Sequence, residues 1–245
     1  MKDYDVQVFN EQLQYSLTEI NESERLFGRN FYFTGGMIEV TDMLAYAAPL
    51  KPKRILDIGS GLGGPAFLMA RKYHAQVDGI DISHSMNQLA NERVVEEGLT
   101  EQVQFFLGDI LTYDMPGPYD LIYSNCVFLH IHDKNLLIKR MYDLLTDGGK
   151  LLFGDYCIEK ESEEMAHYIH EYHYHLLHQE EWDQRLKQCG FRKLTSEDCT
   201  IRLATHSREI LAMDHIGAEW ENVLKKRLDR FAKGEQQWCV FCYQR

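Results

Sequence analysis

RILDIGSGLGGPAFLMARKYHAQVDGID, residues 54–81, runs from an apolar strand through a turn holding Gly59, Gly61, Gly63 and Gly64 into an amphipathic helix, then into a second strand ending on an acid. Glycines permit a tight turn and let the backbone approach a ligand where a Cβ would intrude. The helix that opens near Gly64 presents unpaired N–H groups to a polar or anionic group. Asp81 closes the second strand at the spacing from which a carboxylate accepts hydrogen bonds from a ribose diol. A glycine pattern alone is weak evidence; set between a strand and a helix with its acid in place, it predicts a site for a nucleotide-like ligand.

The layout serves two cofactors, NAD and S-adenosylmethionine, and residues further along distinguish them. Asp57, two residues before the first glycine, suits the ammonium of an amino-acid moiety and would repel a pyrophosphate. After a third strand, VQFFLGDI, come Asp109 and Ile110, suited to bonding an adenine amino group and covering the ring. YDLIYSN and DGGKLLFGDYC follow. From about Pro52 to Cys157 the chain resembles the class I S-adenosylmethionine-dependent methyltransferases, which implies S-adenosylmethionine as cofactor and S-adenosylhomocysteine as product. Ile82, beside the ribose acid, and Asn125, at the end of the fourth strand, join Asp57, Gly59, Gly61 and Asp81 as expected cofactor contacts.

Working outward, 245 residues with 44% hydrophobic content suffice for one full core. One domain is expected: an N-terminal helical lid over 1–48, a cofactor-binding core over 49–157, and a substrate lid with the rest of the sheet over 158–245. Helices are expected at about 5–27 and 36–48, then alternating strands and helices to about 156. Beyond that come helical sequence at 160–188, a strand at FRKLTSED, a long helix at 206–231 and a last strand, WCVFCYQ. The fold class is α/β: a doubly wound, mostly parallel, seven-stranded Rossmann-like sheet with an added antiparallel edge.

A net charge of −12 argues against nucleic acid as partner, because phosphate backbones are bound by basic surfaces and no basic patch precedes the late KKRLDR. No apolar run reaches membrane-spanning length, and MKDYDVQVFNEQ lacks a leader pattern, so a cytoplasmic location is expected by default. The six cysteines are scattered and read as free thiols, with CVFC in a strand whose residues three apart face opposite sides. NCVFLH lacks the Asn/Asp-Pro-Pro-aromatic signature by which many base and glutamine methyltransferases hold a planar amide. A small-molecule acceptor is therefore expected.

Methyl transfer asks the protein to align the acceptor, keep it unprotonated and exclude water. His130, a few residues past the fourth strand, is the best-placed base. LQYSLTEINESERLFGRNFYFTGG, taken with ILDIGSGLGG, GIDIS, ANERV, GDIL, YDLIYS, LH and DYC, resembles the phosphoethanolamine N-methyltransferase family over nearly the whole chain. The resemblance implies that Tyr15 and His130 close over the site as a latch and catalytic pair. It also implies that the N-terminal segment, through Gln14 and the stretch before Gly35, folds over the cofactor.

Two departures bear on the acceptor. Family arginines near the substrate phosphate correspond to Asn125 and Tyr172 here, leaving one basic position at Lys226 or Arg227, thin provision for a dianion. The lid, AHYIHEYHYHLLHQEEW, instead offers Tyr168, Tyr172 and Tyr174, which with Tyr156 form an aromatic set able to hold a methylated ammonium by cation–π attraction or to stack on an imidazole. Its histidines have helical spacing but no accompanying cysteine or carboxylate set, so no metal site is expected. The favoured activity is N-methylation of an amine such as phosphoethanolamine or a related ethanolamine- or glycine-type amine. S-methylation of a thiol on a histidine-derived ring, as in the similar methyltransferase domain of the ovothiol pathway, is the alternative. A non-catalytic cofactor-binding module would have lost the glycines, Asp57, Asp81 or the pair, and none is lost.

Overall fold

The structure, a computed structural model, describes residues 15–33 and 35–245. Its centre is a sheet ordered β3-β2-β1-β4-β5-β8-β7, with a short β6 paired to the end of β5. The strands are β1 (Arg54–Ile58), β2 (Gln76–Asp81), β3 (Val103–Leu107), β4 (Tyr119–Asn125), β5 (Leu145–Ile158), β6 (Leu177–His178), β7 (Arg192–Asp198) and β8 (Gln236–Gln244). β1 to β5 run parallel and β8 is antiparallel to β5 and β7. The expected seven-stranded sheet thus gains the two-residue β6. The antiparallel strand lies one place in from the edge, which β7 forms.

β8 shows why these strands read as continuous apolar runs. Trp238, Val240 and Cys242 pack into the core on one face of the sheet, and Cys239, Phe241 and Tyr243 into the core on the other. A strand buried on both faces has no solvent side for polar residues. Cys239 and Cys242 therefore point apart, and all six cysteines are free thiols.

Helices α3 (Gly64–Tyr73), α4 (His84–Glu96) and α5 (Lys134–Leu144) follow β1, β2 and β4. At the N-terminal side are α1 (Leu17–Phe27) and α2 (Gly36–Tyr46). The helix expected over 5–27 does not run through Ser16: this residue is an extended N-cap whose hydroxyl accepts from Glu19 N–H at 3.3 Å, while the Glu19 carboxylate accepts from Ser16 N–H at 3.1 Å. A capping box starts a helix afresh, which leaves Tyr15 outside it, just before the cap. The earlier part of that expectation lies outside the described residues.

Two more expected helices are each divided. The 160–188 stretch becomes α6 (Glu163–Glu171) and α7 (Gln179–Cys189), separated by a left-handed His173 (φ 53°) and by β6. The helix expected at 206–231 becomes α8 (Thr200–Leu211) and α9 (Ala218–Ala232), broken at a left-handed His215 (φ 61°) and by Gly217 as extended N-cap. Among the described residues no helix is long and apolar enough to cross a membrane.

Candidate active site

The strand order reverses at β1, whose neighbours are β2 and β4, and parallel sheets open a crevice at the carboxyl ends of the strands beside such a reversal. There the structure holds a cavity of about 900 Å³, walled on the far side by Tyr15, α6 and α9.

The floor comes from the glycine turn. Gly59 takes φ 71° and its N–H donates to the Ile80 carbonyl at 2.8 Å; a Cβ here would collide with the Val127 side chain. Gly61 takes φ 50° and faces open space, so this backbone is bare toward the cavity. Gly64, at the start of α3, already spends its N–H on the Asn30 carbonyl at 3.1 Å, so the loop after α1 has taken one of the donors expected to face a ligand.

Asp81 is fixed by the turn it serves: its carboxylate accepts from Gly61 N–H at 2.8 Å and from Ser83 N–H at 2.9 Å. Asp57 is buried on β1, with one oxygen lacking any partner. Burial, and then the nearby Asp81, push its carboxyl up to about 8, against the opposing pull of Ala66 N–H. A buried carboxylate in this state gains most from an incoming cation. The Asp109 carboxylate accepts from Leu111 N–H at 2.9 Å, which leaves Ile110 packed at the cavity wall. Ile82 lines the cavity with an exposed side chain, and the buried amide oxygen of Asn125 has no partner. Gln14 lies outside the described residues.

The opposite wall gathers chain-distant segments. Tyr15 packs edge-on against Tyr32, with ring centroids 5.3 Å apart. Burial chiefly, then Asp81 and Cys126, raise its phenol, which stays protonated. His130 ends a short 3-10 turn, Phe128–His130, and sits edge-on to Tyr174 at 5.2 Å. Burial, then Lys134 and His175, lower its imidazole to about 4, so it is neutral near pH 7. Tyr168, Tyr172 and Tyr174 form one cluster, the last two stacked at 5.6 Å. The buried Tyr156 hydroxyl has no partner.

The expectation of a single basic group on this wall is corrected. Arg227 and Arg230, one helical turn apart on α9, both line the cavity and are both 7% exposed. Arg227 lies over the Tyr156 ring at 5.7 Å and Arg230 over the Tyr168 ring at 3.8 Å. Arg230 Nε donates to Gln236 Oε1 at 3.0 Å, and no carboxylate of the described residues lies within ion-pair range of it. A cation beyond the one expected therefore reaches this wall from α9. Its signal was the i, i+3 spacing inside KKRLDR, which reads as a solvated charge run until the helix face is known. Cys126, left-handed at φ 60° where β4 leaves the sheet, also went unmarked; a lone cysteine carries no such signal.

Among the described residues, the one group spaced as metal ligands is Glu39, Asp42 and His206, apart from this cavity. Glu39 is already engaged: it accepts from Arg202 at 3.0 and 2.7 Å and from Trp238 Nε1 at 3.0 Å.

Residues 50–224 match the family model described as a methyltransferase domain. A phosphoethanolamine N-methyltransferase of Triticum aestivum is 36% identical over 98% of this chain and 50% of its own length. The one from Plasmodium falciparum is 34% identical over 84% of this chain and 77% of its own. The chain spans about half the length of the plant relatives it matches. Haemonchus contortus phosphoethanolamine N-methyltransferase 2, solved with phosphomonomethylethanolamine and S-adenosylhomocysteine, superposes with a TM-score of 0.91 at 28% identity, covering 98% of this chain and 60% of that one.

Proposed function

Because the chain belongs to the phosphoethanolamine N-methyltransferase family, we propose that it transfers the methyl group of S-adenosylmethionine to the amine nitrogen of a small, phosphorylated, ethanolamine-type acceptor. The observation that carries the acceptor is the pair of buried arginines, Arg227 and Arg230, on the wall opposite the glycine turn. Burying a guanidinium group is costly unless an anion answers it; Arg230 has no carboxylate of the described residues within ion-pair range, and with Arg227 one turn away on the same wall it suits a dianion better than the single carboxylate of a histidine-derived thiol. A cytoplasmic location belongs to the same proposal.

The cofactor fits the residues present. Asp57, with its unpartnered buried oxygen, would receive the ammonium, Asp81 the ribose hydroxyls, and Asp109 and Ile110 the adenine edge and face, with Asn125 offering a further acceptor. When bound, S-adenosylmethionine supplies an activated sulfonium methyl group. The protein must then remove a proton from the acceptor ammonium, whose ordinary value is around 10, before the nitrogen can attack. His130, neutral at working pH and on the cavity wall, takes that proton; Tyr15, kept protonated, closes over the site and donates a hydrogen bond. The tyrosine cluster shields the site from water and favours an ammonium that gains methyl groups.

The test is product mass after incubation with S-adenosylmethionine and phosphoethanolamine, ethanolamine, their monomethyl and dimethyl forms, glycine derivatives and a thiol-bearing histidine. Steps of one methyl group on the phosphorylated amines are expected. Transfer to the thiol or to unphosphorylated amines only would overturn this reading of the arginine pair.

A further inference from the structure

His130 is carried by a single 3-10 turn, and one turn of backbone is a weak mount for a base. The turn is gripped at its carbonyl end by one charge and faced at its amide end by another, and neither lines the cavity. At its carbonyl end, Lys134 Nζ donates to the Phe128 carbonyl at 2.6 Å and to the Ile131 carbonyl. At its amide end lies Asp155, whose carboxyl the N–H groups of Phe128 and Leu129 pull downward; its one hydrogen bond is accepted from Tyr156 N–H at 2.8 Å, and its other oxygen is buried without a partner. Lys134 is 4% exposed and Asp155 1%. An anion at the N–H end and a cation at the carbonyl end match the polarity of a helical turn.

We propose that Lys134 and Asp155 are positioning residues for His130, fixing the Phe128–His130 turn between them and setting a positive charge behind the imidazole. The proposal rests on reading His130 as the base. Burial drives Lys134 down to about 8 and Asp155 up to about 7, each countered by the other, so the pair is a costly element of the core. Here it serves the backbone of one turn. The charged and titratable groups around it are few: Lys134 from α5 and His175 ahead of β6 face His130, with the Tyr174 ring beside it; Asp155 from β5 and Arg185 from α7 face Lys134. His175 N–H donates to the Leu129 carbonyl at 2.7 Å, so the segment after α6 braces the same turn.

The experiment compares Lys134→Met, Lys134→Arg and Lys134→Gln with wild type in three readouts: kcat and KM across pH, S-adenosylhomocysteine affinity, and the His130 imidazole titration by NMR. Lys134→Met is expected to lower kcat at least tenfold with KM and affinity within about threefold. It should also raise the midpoint of the imidazole titration, and the acid limb of kcat with it, by about one pH unit, because the repelling charge is gone. Lys134→Arg should restore the midpoint. Where Lys134→Met does not fold, Lys134→Gln, which keeps a donor for the carbonyls but no charge, should show the same midpoint shift with a smaller loss of kcat. An unmoved midpoint in the folded neutral variants overturns the proposal, whatever happens to kcat. The titration needs no turnover, so a protein that methylates nothing in the panel would sink the proposed activity and leave this result readable.

Discussion

The two walls of the cavity are built by opposite strategies. The cofactor wall is drawn mainly from one unbroken stretch, residues 57–83, and is held by hydrogen bonds from backbone N–H groups: Gly59 and Ser60 to the Ile80 carbonyl, Gly61 and Ser83 to the Asp81 carboxylate. The acceptor wall is assembled from Tyr15, the turn at His130, the 168–175 segment and α9. Rings and charges hold it together: Tyr15 on Tyr32, His130 on Tyr174, Arg230 on Tyr168. A wall made of backbone has one shape for one ligand, whereas a wall made of side chains from separate elements can be refitted one residue at a time. Substitutions should therefore divide cleanly, with the cofactor wall changing affinity for S-adenosylhomocysteine and the acceptor wall changing turnover or acceptor KM.

The sharpest cut is at His130. His130→Ala should lower kcat by about 100-fold, within the usual range for losing a general base, and leave S-adenosylhomocysteine affinity within about threefold, read by steady-state kinetics and calorimetry. A matching loss in affinity would mean the walls are not separable at this turn. Asp81→Ala is the mirror case. It removes the carboxylate that organises Gly61 and Ser83, so cofactor affinity should fall about 30-fold with saturated kcat within about threefold. Wild-type affinity in this variant would put the ribose elsewhere.

The same division separates what was legible in the sequence from what was not. Every expected cofactor residue among the described ones lines the cavity, because strand, turn, helix and acid are fixed by local spacing. The expected acceptor residues line it too, yet the elements that carry them depart from the expected helices wherever tertiary contacts override helical periodicity. Tyr168 and Tyr172 lie in register as one turn of α6 and its cap, and nothing local announces that His173 turns left-handed to bring Tyr174 back onto them. Arg230 was illegible for a related reason. Its burial depends on α9 packing beside β8, so a charge that looks solvated in KKRLDR ends against Tyr168 and Gln236.

Arg230→Met tests that refitting directly. Packing on Tyr168 is kept and the charge is lost, so KM for a phosphorylated amine should rise about tenfold while kcat stays within about twofold and the response to an unphosphorylated amine is unchanged. Equal effects on both amines would make Arg230 a brace for the lid rather than a contact for the acceptor's anion.

The smallest expected effect lies in stability, and it shows that the cofactor wall is built for a ligand at the expense of the empty protein. Asp57 is raised to about 8 by burial and by Asp81, so the free folded protein binds its proton more tightly than the unfolded chain does. With the folded value above the unfolded one for a carboxyl group, the penalty is absent near pH 4, grows as pH rises, and is complete above about pH 8. Asp57→Asn removes an ionisation that costs on the order of a few kcal/mol, so ligand-free Tm should rise by about 5 °C at pH 8, with the gain shrinking to nothing near pH 4. The same variant should bind S-adenosylhomocysteine more weakly, most of all above about pH 8, where the wild-type carboxyl group is ionised. In wild type the ligand's ammonium must first re-ionise the carboxyl group, so affinity should climb with pH and level off near 8. A Tm unchanged across that range, measured by calorimetry on the ligand-free protein, would show that Asp57 is already ionised and already answered, and the contrast between a preformed cofactor wall and an adaptable acceptor wall would lose its electrostatic basis.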